Sequence, residues 1–227
     1  LIIASRASSQ ITLKHNNLDF EIGRSYFLSS RMSFRPHVGV KSSWLDIKRT
    51  VQYRISDKNT KLLGKDSKPF TGFDIKTTDS NHYWGLGPEF GIDSKWYLGY
   101  GVHILGDIST ALLYSNFDTS SRDFVPPSTD PELYPDGQIV SIKHKFHRYI
   151  PFTQCFIGLG WGTHLNKMKQ YIGAKIGYEL QYYWRINQFY DQDDIEAAGT
   201  STYRIQFQKQ AEDIMFYGLT AEASLSF

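Results

Sequence analysis

Charged and histidine side chains recur on one parity of this chain, and nearly all have apolar neighbours on both sides. They are Asp19 and Glu21, then Arg35, His37 and Lys41, then Glu89, His103 and Asp107, then His164, Lys175, Glu179 and Arg185, and finally Glu222. Two chemistries are open to such a set. His37, His103 and His164 with Asp107 have the residue types of a metal site, and Ser/His/Asn or Asp/His hydrolytic groups would draw on similar types. Either use needs the side chains to converge on one point. The three histidines lie on three different segments, and no short spacing between them supports convergence. The other chemistry is collective. Fixed charges on one face of a long sheet hydrate a passage and act on the ions in it. The competing bland reading is a solvated sheet face, or a closed lumen whose charges pair with one another. These side chains are expected to line a pore, with no catalytic residue, no metal and no cofactor.

The elements that position these charges are strands. At the C-terminus, Met215, Tyr217, Leu219, Ala221, Ala223, Leu225 and Phe227 share one parity, with Phe216, Gly218, Thr220, Glu222, Ser224 and Ser226 on the other. That is the period of a pleated strand. Residues 170–189 alternate in the same way, with Ile172, Ala174, Ile176, Tyr178, Leu180, Tyr182, Trp184 and Ile186 on the apolar side. The run is two to three times the usual strand of about 5–6 residues, as a tilted membrane-crossing strand would be. Earlier strands are expected around Leu18–Tyr26, Met32–Trp44, Trp84–Ile92, Trp96–Tyr114 and 147–165. Short turns are expected at 28–31, 92–95 and 166–169, and long loops at about 54–81, 118–140 and 190–212. Pro36 and Pro88 cannot donate to a ladder, and a local bulge is expected at each.

Composition sets outer bounds. The chain has 227 residues, 15% aromatic, with a net charge of +2, too small to imply nucleic acid. Mean hydropathy is −0.40, and no apolar run is long enough for a helical span. A barrel is compatible with that, because half of each strand faces a polar interior. The single cysteine, Cys155, excludes an intrachain disulfide and a cysteine zinc site. It is expected to face lipid or a neighbour as a small apolar residue. Tyr26, Trp44, Trp84, Trp96, Tyr114, Trp161, Trp184 and Phe227 all fall on the apolar parity, grouped toward the two ends of their strands. Two interfacial aromatic belts would look like this. Counting strands back from a periplasmic C-terminus places the short turns in the periplasm and the long loops outside. The first visible strand then runs inward, so the chain is expected to be a fragment lacking the N-terminal strand or strands of one barrel domain spanning 1–227.

Three stretches carry a more specific signal: LDFEIGRSYFLSSRMSFRPHVGVKSSWLDIKRTVQY, WGLGPEFGIDSKWYLGYGVHILGDISTALLYSNF and FIGLGWGTHLNKMKQYIGAKIGYELQYYWRINQF, with the ending GLTAEASLSF. They resemble the major-outer-membrane-protein-like, pore-forming family of Legionella and chlamydia-like bacteria. Arg35-Pro36 with Gly39 and Trp44, the passage through Trp96, Gly99 and Gly106-Asp107, and Gly218-Leu219-Thr220 carry most of the likeness. The resemblance implies an outer-membrane β-barrel porin and supplies no catalytic residues.

The expected fold is therefore all-β, a transmembrane antiparallel up-and-down barrel with about seven strands visible. The expected function is a weakly cation-preferring diffusion pore in the bacterial outer membrane. Its expected partners are outer-membrane lipid, small solutes and ions, the barrel-assembly machinery through the last strand, and a possible second copy of the chain. The alternatives are an adhesin or structural envelope barrel that binds through its loops, and a soluble all-β binding domain.

Overall fold

A computed structural model describes residues 6–55, 73–124, 138–165, 170–196 and 203–226. The strands are β1 (Arg6–Gly23), β2 (Tyr26–Ser29), β3 (Met32–Ile55), β4 (Phe73–Gly99), β5 (Val102–Phe124), β6 (Gln138–Leu165), β7 (Gln170–Glu196) and β8 (Tyr203–Ser226). Apart from β2, they pair in sequence order, each antiparallel to the next, in one sheet. β2 prolongs β1 along the same edge of β3 without a change of register, since Gly23 faces His37 and Tyr26 faces Phe34. The fold is an up-and-down meander of seven long strand lines. Among the described residues no backbone ladder joins β1 to β8. Side chains nevertheless meet there. The His15 ring stacks on Phe216 with centroids 4.5 Å apart, and Asn17 Nδ2 donates to Gln181 Oε1 at 3.2 Å. The sheet has curled until its first strand confronts its last two.

Curling separates two faces, and the period-two pattern decides what each carries. On the convex side large apolar residues stand exposed, among them Leu219 at 80%, Ile157 at 67% and Ile176 at 56%. Val38, Leu86, Phe90, Ile108 and Leu159 complete a continuous apolar surface across β3 to β8. Soluble monomers rarely expose so many large apolar side chains on one face. Cys155 lies on the same side, in register between Ile108 and Leu180. Tryptophans border the surface. Trp44 and Trp84 are direct cross-strand partners, and Trp96 lies about a dozen residues further along β4. That interval is roughly 40 Å along a strand, or about 30 Å of membrane depth at a tilt of about 40°. Tyr114 pairs with Tyr149 near the first belt, and Trp161 with Val102 near the second. Trp184 and Tyr26 are exposed on the same face, and Phe227 lies outside the described residues.

Several sequence expectations are corrected. The turn expected at 92–95 is strand: Ile92 to Lys95 pair continuously with β3 and β5, and the chain reverses at Tyr100–Gly101. Tyr100 and Gly101 have φ of 53° and 80°, the two positive values that a two-residue type I′ hairpin requires. The polarity of Asp93-Ser94-Lys95 belongs to the concave face and mimics a turn. The long loops are shorter than expected, because 73–81, 118–124, 138–140, 190–196 and 203–212 are strand. Beyond the membrane both faces of a strand are wet, so polarity there does not mark a loop. The expected turn at 166–169 lies outside the described residues, although Leu165 pairs with Gln170 on either side of it.

No bulge forms at either proline. β3 and β4 stay in register through Pro36 and Pro88, while the β1–β2 line breaks at Arg24–Ser25, beside Pro36, and pairing with β5 lapses over Gly87–Pro88. A missing N–H removes one ladder bond without adding a residue. The consequential bulge lies in β7 between Tyr183 and Asn187. There Arg185 adopts φ 53°, and its N–H donates to Asp213 Oδ1 at 2.7 Å. Tyr182 donates to the other oxygen of the same carboxylate. Past this point the parity turns: Ile186 is fully buried and Arg185 is exposed, the reverse of the alternation read from sequence.

Inward glycines act as seats for rings. A Cβ on Gly91 would stand 2.3 Å from His37 Nε2, one on Gly160 2.2 Å from His103 Nε2, and one on Gly162 2.1 Å from the Tyr171 hydroxyl. Phe156 covers Gly158 and Gly177 together, at 2.8 and 2.5 Å from their missing Cβ atoms. At these positions the missing Cβ makes room for the side chain of a neighbouring residue.

Candidate pore interior

The concave face has two tiers. In the tier beside the short turns, charges face a cavity of about 500 Å³. Arg35 Nη1 bridges Asp93 at 2.8 Å and Glu21 at 3.5 Å. His37 is wedged between the same two carboxylates, its Nδ1 3.3 Å from Asp93 Oδ1 and its Nε2 3.8 Å from Glu21 Oε1, neither aligned as a hydrogen bond. Lys41 is fully buried. Its Nζ lies 2.8 Å from Asp19 Oδ1, 3.5 Å from Glu89 Oε1 and 4.4 Å from the centre of the Phe152 ring. Ser109 donates to the same Glu89 oxygen at 2.9 Å. A buried ammonium is costly alone, and here two carboxylates and a ring face compensate it.

Opposite, Lys175 pairs with Glu222 at 2.8 Å. Glu179 accepts from Gln154, Gln181 and Thr220 at 2.9, 2.7 and 2.8 Å, all neutral donors. Asp107 and His103 line the same cavity. Asp19, Glu21, Arg35, His37, His103, Asp107, Lys175, Glu179 and Glu222 thus share one chamber, with Lys41 and Glu89 buried behind it. Arg185 does not reach it, because the β7 bulge turns that residue out, and the side chain of His164 lies outside the described residues. Asp93 and Lys95 line the chamber too, hidden from the sequence reading by their assignment to a turn. Among the described residues no group of His, Cys, Asp and Glu is placed to hold a metal ion.

The second tier is apolar. Leu45, Ile47, Tyr83, Ala111, Leu113, Phe117, Ile150, Phe152, Tyr183 and Ile186 form one cluster, five of them at 0% exposure together with Tyr183. Tyr183 ties this tier to β1: its hydroxyl donates to Asn17 Oδ1 at 3.0 Å and lies 3.0 Å from His15 Nε2 and 3.3 Å from Ser43 Oγ. Asn81 Nδ2 crosses from β4 to the Ile186 carbonyl at 3.2 Å. Side chains fill this tier.

A curled antiparallel meander, apolar and ringed by tryptophans outside, charged within, defines a bacterial outer-membrane β-barrel protein. More particularly, the chain belongs to the family of the Legionella pneumophila major outer membrane protein precursor, whose family model matches residues 2–227. That membership places it in the bacterial outer membrane. Among curated proteins none matches the chain.

Proposed function

We propose that this protein is a porin, a non-enzymatic diffusion pore for small solutes with a mild preference for cations. The observation that carries the reading is the charged chamber behind an apolar, lipid-facing wall. Among the described residues six carboxylates line that chamber, Asp19, Glu21, Asp93, Asp107, Glu179 and Glu222, against three cations, Arg35, Lys95 and Lys175. Among the described residues Glu179 is held by neutral donors only, which leaves its charge to act on the solution. Signs are mixed enough to prevent strong selectivity, and the acidic excess favours cations. Solutes then cross only where the filled apolar tier parts, and the width of that opening sets the size limit.

The full burial of that tier favours a second reading, a closed envelope barrel that binds surfaces through its outer hairpins. Swelling of proteoliposomes in small neutral sugars separates the two. Uptake well above that of protein-free liposomes is expected. Swelling no faster than the protein-free rate, from barrel that is folded by its gel mobility, would favour the closed barrel.

A further inference from the structure

Past the Trp44–Trp84 belt, toward the hairpins joining β3 to β4 and β5 to β6, the convex face changes from apolar to basic. Lys14, Lys48, Lys76, Arg122, Lys143 and Lys145 are all exposed there. Registers fix their places. Lys143 faces Ser120 and Arg122 faces Ser141, so these two cations sit on adjacent strands one same-face step apart, about 8 Å. Lys14 and Lys48 stand in the same relation across β1 and β3, where Lys14 faces Asp46 and Lys48 faces Thr12. The described carboxylates among them are already engaged: Asp46 by His82 at 2.6 Å and Asp118 by Lys145 at 2.9 Å. Among the described residues no ion pair engages Lys14, Lys48, Arg122 or Lys143. Hydroxyls of Thr50, Thr78, Ser80, Ser120 and Ser141 fill the intervening positions. Paired cations set among hydroxyl donors are the chemistry of phosphate recognition. The patch directly continues the lipid-facing wall, at the depth where headgroups begin.

We propose that this face binds the phosphate groups of outer-leaflet lipid headgroups, with Arg122–Lys143 and Lys14–Lys48 as its two clamps. The assignment to the outer leaflet rests on the orientation that puts the longer connections outside. The test uses the full-length barrel in detergent micelles, with lipid A as the probe, compared with lipid A stripped of its phosphates. Phosphorylated lipid A should bind at least about tenfold tighter. Each removed cation should weaken it about fivefold, and the triple variant K48Q/R122Q/K143Q on the order of a hundredfold. Heat-modifiable gel mobility reports whether the variant is folded, and K143Q alone, or the phosphate preference of the unmodified protein, decides the matter if it is not. Equal affinity for the stripped lipid, or no loss in the folded variants, would overturn the proposal. Tighter binding of heparin than of lipid A would assign the face to a soluble polyanion, and inorganic phosphate binding as tightly as the lipid would assign it to the free anion. Micelle binding is indifferent to orientation, so an inverted barrel would reveal itself separately, in cysteine labelling of cells.

Discussion

At residue scale, parity decides what each position tolerates. Leu219 and Thr220 are adjacent, yet Leu219 stands exposed on the convex face and Thr220 bonds Glu179 inside. Leu219→Arg places a charge in hydrocarbon at a cost of about 2–4 kcal/mol near the midplane. Thr220→Arg offers a cation to a carboxylate that has none. Assembly into heat-modifiable barrel should drop sharply for the first and persist for the second. Glycines give a matching contrast. A Cβ on Gly177 would meet the Ile157 carbonyl oxygen at 2.4 Å as well as the Phe156 ring, whereas one on Gly218 would meet nothing within 4 Å. Gly177→Ala should therefore destabilise by about 1–3 kcal/mol, as overpacking does, and Gly218→Ala should be close to neutral. Urea titration of the refolded barrel measures both.

At the scale of elements, the alternation of short and longer connections predicts which end faces out. In a Cys155→Ser background, a cysteine replacing Lys61, between β3 and β4, should react with an impermeant reagent on intact cells. One replacing Tyr100, the exposed tip of the β4–β5 hairpin, should not. Reversed labelling would invert the topology.

Strand identity was legible because lipid on one side and water on the other impose strict alternation. Leu18, Phe20 and Ile22, or Ile172 to Leu180, could be placed by parity alone. Strand ends were not legible, since that contrast vanishes above the membrane. The 92–95 error has a related cause: inward charges such as Asp93, partner of Arg35, look in sequence like turn residues. Gly99-Tyr100-Gly101 was the truer turn signal. Nor could alternation foresee the β7 bulge, which depends on Asp213 from the next strand.

At the scale of the molecule, the interior is stratified, and parity could not show it. Leu113, Phe117, Ile150 and Phe152 lie on the same inward parity as the charges, yet they pack into a dry layer. Around Leu113 and Ile150 the neighbours Leu112, Tyr114, Tyr149 and Pro151 are apolar or aromatic too, so nothing there separates lipid-facing from interior-facing residues. Conduction requires water to pass this layer.

The most direct test is the current–voltage relation of the full-length barrel in a planar bilayer under a salt gradient. Single-channel conductance is expected, with a reversal potential of mild cation preference that falls at higher ionic strength as screening shortens to a few Å. Replacing Asp107 and Glu179 by Asn and Gln should lower that preference and leave conductance similar. No conductance from correctly folded barrel, or strong anion selectivity, would contradict the porin reading.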